Sequence, residues 1–100
     1  MKEDIFNQYV DRILVLFCIN KEELFSKSRK RNLVDARQLL YYLCFNRPIQ
    51  VSYIERFMKD NGYDVYHQTI THGIKAVEEK IKVDRDYQSI VKDIEKAVHI

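Results

Sequence analysis

Two stretches of this chain carry side chains suited to recognising a ligand. The first is Ser26-Lys27-Ser28-Arg29-Lys30-Arg31-Asn32-Leu33-Val34-Asp35-Ala36-Arg37-Gln38. It sets five cations, Lys27, Arg29, Lys30, Arg31 and Arg37, against the single acid Asp35, for a net charge of +4 in a chain whose formal total is +2. The positive charge is therefore concentrated in one place. A basic patch at the mouth of a helix attracts a polyanion, most often nucleic acid. Cations there oppose the helix dipole, which costs a little stability until an anion binds. The second stretch is His67-Gln68-Thr69-Ile70-Thr71-His72, a polar helix start. A glutamine amide bonds adenine N6 and N7 together, so Gln68 suits reading a base edge.

Other chemistries find less support. His67, His72 and Asp64 suggest a metal site only superficially, because histidines five apart lie about 140° apart round a helix. No Ser/His/Asp or Cys/His arrangement has a supporting third residue, so no enzyme is expected. The chain has no P-loop sequence, and neither a nucleotide nor any other cofactor is expected. Cys18 and Cys44 sit among large apolar residues without a CxxC pair or zinc-ligand spacing, and read as two buried free thiols in a reducing cytosol. No apolar run approaches the ~18 residues of a membrane span. The start, Met1-Lys2-Glu3-Asp4, is too acidic for a signal peptide, so a cytoplasmic protein is expected.

The elements that position these residues are helical. One hundred residues with two glycines and one proline fit a single all-α domain, spanning residues 1–100, of five or six helices joined by short turns. Ile5, Phe6, Tyr9, Val10, Ile13, Leu14 and Phe17 make an apolar stripe on a first helix over Lys2–Phe17. Asn20, with Glu23 three residues on, predicts a capping box for a short helix ending near Ser26. Lys27–Arg31 reads as a loop, with Asn32 capping a third helix that runs to Asn46. Its buried face is Leu33, Ala36, Leu40, Leu43 and Cys44, with Tyr41 or Tyr42 at the edge. Pro48 forbids its continuation.

Ser52-Tyr53-Ile54-Glu55 predicts a capping box for a fourth helix, which Asn61-Gly62 stops. Asp64 or Tyr66 starts a fifth helix that reaches Val83, with Ile70, Ile74, Val77 and Ile81 in one stripe. A last helix, Asp84 to Val98, presents Tyr87, Ile90, Val91, Ile94 and Val98. The fourth and fifth helices form a helix-turn-helix candidate, with the third packed beneath them. Tyr63 and Tyr66, in the turn, are placed to touch DNA or a protein partner.

Ser28 to Gln38, followed by His67-Gln68-Thr69-Ile70-Thr71-His72-Gly73, resembles the C-terminal DNA-binding domain of the bacterial replication initiator DnaA. That family carries a basic loop ending in an Arg-Gln pair on the next helix. It also carries an Asp-His-Thr-Thr-Val motif, then a His-Ala, at the start of its recognition helix. The resemblance covers roughly Val15 to Ile81. It implies a recognition helix in the major groove and a loop arginine in the minor groove. By matching position, Arg31 would be that arginine, and His67, Gln68 and Thr69 would face bases. Arg29, Lys30, Arg37 and Gln38 would lie on or near phosphates; Lys27, Ser28 and Tyr66 are expected to contact the DNA as well, and His72 to lie on a phosphate or pack under its helix. The chain departs from the pattern at Tyr66, which replaces the family's Asp, and at Gln68, which replaces its first Thr. Eight residues separate Met58 from His67 where the family has four.

The expectation is a stand-alone module that binds double-stranded DNA in replication or transcription control, encoded by a phage or mobile element. The alternative is a protein–protein adaptor, in a virion or replication complex, that keeps the fold without reading sequence.

Overall fold

The computed structural model describes residues 1–98 as six helices, with no strand among them. They are α1 (Lys2–Phe17), α2 (Lys21–Leu24), α3 (Arg31–Phe45), α4 (Val51–Asp60), α5 (His67–Val83) and α6 (Arg85–Ala97). The all-α reading holds; α1 spans the residues expected, and α5 ends at Val83 as expected but begins at His67, with Tyr66 as its cap residue and Asp64 outside the helix.

α3 is the hub. It packs against α1, α2, α4 and α5, and its buried face includes Leu33, Ala36, Leu39, Leu40, Leu43 and Cys44. A fully buried leucine contributes about 1.5–3 kcal/mol, so this face anchors the domain. α1 lays Ile5, Phe6, Tyr9, Val10 and Ile13 on one side of it. Phe6 meets Phe57 of α4 with ring centroids 5.3 Å apart, in the tilted arrangement that aromatic quadrupoles favour. Tyr41 is buried, while Tyr42 is the partly exposed tyrosine at the edge.

The helix ends show which local signals prevailed. Asn20 caps α2 with a complete capping box: Glu23 N–H donates to Asn20 Oδ1 at 2.8 Å, and Asn20 N–H donates to Glu23 Oε1 at 3.0 Å. Asp84 links α5 directly to α6 and accepts from Tyr87 N–H at 3.1 Å. α4 ends as predicted at Asn61-Gly62. Gly62 takes φ 88°, and Tyr63 N–H reaches back to the Met58 carbonyl at 3.0 Å. That left-handed position favours glycine.

Two expected caps and one helix end differ. α3 begins at Arg31 with Lys30 as its cap residue, so Asn32 lies inside the first turn. α4 begins at Val51 after Gln50, so Ser52 is already helical and forms no capping box. The reason is burial: Ile49, one residue after Pro48, is 1% exposed, and seating it in the core starts the helix early. α2 stops at Leu24 rather than Ser26. Cys18 also departs from expectation, since it is exposed at the end of α1, with φ 53°, while Cys44 is buried. Both thiols are free.

Candidate nucleic-acid interface

α3 and α5 approach each other tightly at Gly73. A Cβ there would sit 2.9 Å from Tyr41 Cδ2 and 3.1 Å from Gln38 Cγ. This small residue draws α5 onto α3 and brings the start of α5 beside the basic loop. Between them lies an open cleft of about 490 Å³. Lys27 and Arg29 stand on its loop side, with Gln38 and Tyr41 on α3. Tyr63, Tyr66 and Thr69 stand on the α5 side.

Residues of both motifs therefore line one surface, Lys27, Arg29, Arg37 and Gln38 from the first and Thr69 from the second, whereas His67, Gln68 and His72 are not among the residues lining the cleft. Lys27, Arg29 and Lys30 are exposed, as are Tyr66, His67, Gln68, Thr69 and His72. Tyr66 is 78% exposed although it is a large aromatic. It is the cap residue of α5 and makes no side-chain cap bond. Thr69 and Ile70 N–H groups donate to its carbonyl at 3.1 and 3.2 Å. His72 is neither packed beneath its helix nor paired with His67. Among the described residues no group of three His, Cys, Asp or Glu is placed to hold a metal ion.

Two of the arginines are placed differently from the sequence expectation. Arg31 belongs to the first turn of α3, not to the loop, and is not among the residues lining the cleft. Its Nε lies 3.4 Å from Asp35 Oδ1, which Lys80 Nζ also approaches at 3.4 Å. Arg37, expected on the surface beside phosphates, is 4% exposed and lies under the loop. Its Nε donates to the Leu24 carbonyl at 2.7 Å. Nη1 donates to the Ser28 carbonyl at 2.9 Å, and Nη2 to those of Ser26 at 2.6 Å and Glu23 at 3.4 Å. Its guanidinium carbon sits 4.8 Å from the Tyr63 ring centroid. Tyr63, expected as a surface contact, is thus half-buried as the aromatic partner of a cation. A sequence signal for this burial existed: Arg37 falls on the same helical face as Leu33, Leu40, Tyr41 and Cys44.

Burial also acts on the cleft floor. Tyr41 is held neutral, its hydroxyl pushed well above the ordinary tyrosine range by desolvation, with a smaller push from Tyr63 and an opposing pull from Arg37. Behind α3, Tyr87 is pushed up to about 12, chiefly by desolvation and then by the Asp35 carboxylate.

Fold and surface together define a small all-α domain that pairs a basic loop with an uncapped, polar helix start. The chain is 33% identical over 91 residues to the chromosomal replication initiator DnaA of Bacteroides thetaiotaomicron, covering 86% of this chain and 18% of that one. It is 38% identical over 80 residues to that of Citrifermentans bemidjiense, covering 80% and 17%. With that of Aquifex aeolicus it is 30% identical over 89 residues, covering 89% and 22%. No family model and no solved structure matches it. This is a DnaA-like domain, and it spans about a fifth of the length of the curated relatives it matches.

Proposed function

We propose that the chain binds double-stranded DNA through the cleft between the basic loop and α5, in the service of replication control. The observation that carries this is the juxtaposition of Lys27 and Arg29 with Tyr66 and Thr69 around one open surface. Similarity to proteins named as chromosomal replication initiators supports it. In this reading α4 and α5 act as a helix-turn-helix, and the α5 start enters the major groove with Gln68 and His67 at base edges. The minor-groove arginine is then Arg29 rather than Arg31, because Arg29 lines the cleft while Arg31 is engaged with Asp35. Lys27, Lys30 and the uncapped amides of α5 take phosphates. Gln38, part-exposed beside Gly73, supports the same strand.

Selection of bound sequences from a random duplex pool tests this reading. Enrichment of one motif, with affinity that falls steeply as salt rises, is the expected result. No retention of duplex at low salt would sink it and favour the adaptor alternative.

A further inference from the structure

We propose that Arg37 is the positioning residue of the basic loop, fixing the shape in which Lys27 and Arg29 meet the start of α5, and so turning the loop's charge into sequence preference. The proposal rests on the DNA-binding reading above.

The loop is held residue by residue in an alternating way. The carbonyls of Ser26 and Ser28 both accept from the Arg37 guanidinium. The N–H of Ser28 donates to Ser26 Oγ, and that of Lys30 to Ser28 Oγ, each at 3.3 Å. Ser26 Oγ in turn donates to the Glu23 carbonyl at 2.8 Å. The even-numbered positions are thus tied down, and the odd-numbered Lys27 and Arg29 are left exposed at the cleft. A loop of this composition has no apolar side chain to seat it. The guanidinium replaces one, gathering four carbonyls from residues 23–28 around a single planar fork.

The same group reaches the other wall. Tyr63, stacked on Arg37, lies three residues before the Tyr66 cap of α5. Arg37 therefore touches both halves of the cleft, which it helps to line while only 4% exposed, its guanidinium N–H groups turned to the loop carbonyls. Lysine would not replace it, because an ammonium is a point donor without the fork that four carbonyls require.

The test compares wild type with Arg37→Lys and Tyr63→Leu. Affinity is measured on a selected duplex and on random duplex across a salt series, together with the rate of tryptic cleavage in the loop. For Arg37→Lys we expect an unchanged salt slope and random-duplex affinity within about twofold of wild type. Preference for the selected site should fall at least tenfold, and cleavage after Lys27 or Arg29 should run at least tenfold faster. A slope reduced by about one unit, with equal loss on every sequence, is the signature of a phosphate contact and would overturn the proposal. So would unchanged preference or unchanged cleavage. Should Arg37→Lys fail to fold, Tyr63→Leu keeps the hydrogen bonds and should lose preference in the same direction, and its failure to do so also overturns the proposal. If wild type binds no duplex at all, the DNA-binding reading falls, and the cleavage comparison still decides whether Arg37 shapes the loop.

Discussion

Lys27 and Arg29, on one wall of the cleft, stand on a backbone whose carbonyls are bonded to a buried guanidinium. Tyr66 and Thr69, on the other wall, belong to a helix start that no side chain caps. The loop is organised from within and keeps its shape before any ligand arrives. The start of α5 keeps unsatisfied donors and the positive end of its dipole facing outward. Side chains cap α2, through Asn20, and α6, through Asp84, both away from the cleft lining, while the starts of α1, α3, α4 and α5 carry none. Charge and shape are thus supplied by one wall, and open hydrogen-bonding capacity by the other.

The largest expected effect comes from removing the charge of the first wall. Replacing Arg29 and Lys30 together by Ala should flatten the log–log salt slope of binding by roughly two units, alike on all sequences. Titrations at several salt concentrations check this, and an unchanged slope would remove the loop from the interface. Next is the join between the walls. Gly73→Val inserts methyl groups where Tyr41 already lies 2.9 Å from a Cβ. It should cost about 1–3 kcal/mol in denaturant unfolding, the usual cost of overpacking. The same variant should also lose site preference, as the α5 start is pushed off the loop.

The second wall is probed by Gln68→Ala. It should cost ~1–3 kcal/mol on the selected duplex and almost nothing on random DNA, because a neutral amide releases no counterions. Equal losses on both would show that the α5 start does not read sequence. The smallest differential effect is that of pH, which acts on the scaffold common to both walls. Tyr9 and Tyr87 have folded values pushed up to about 12 from 10.0, mainly by burial. The folded state therefore holds protons that the unfolded chain releases from about pH 10. Stability should be flat with respect to these groups below pH 10 and fall between pH 10 and about 12. Thermal melts across that range check the sign.

Much of the fold was legible because helical periodicity reports burial directly: the stripes of α1 and α5 and the Asn61-Gly62 stop needed no tertiary information. The starts of α3 and α4 were not legible, since Asn32 and Ser52 are good cap types that the path of Ile49 and the loop overrode. The candidate site shows the same division. Exposed cations and polar residues were identified by type, and of these Lys27, Arg29, Tyr66 and Thr69 line one cleft. Arg37 was misplaced because its charge was weighed and its helical face was not. Arg31 was read as the end of the loop and instead opens α3, where its partner is Asp35, four residues on, which had been counted only against the net charge.

The two thiols have a practical consequence. Cys18 is exposed at the corner between α1 and α2, outside the lining of the cleft. Cys44 is sealed in the core, and burial pushes its thiol far above the ordinary range, which suppresses the reactive thiolate. A maleimide dye should therefore attach once, at Cys18, to the folded wild-type chain. The molecule comes with its own attachment point for a fluorescent reporter, and no cysteine needs to be added or removed to watch it meet DNA.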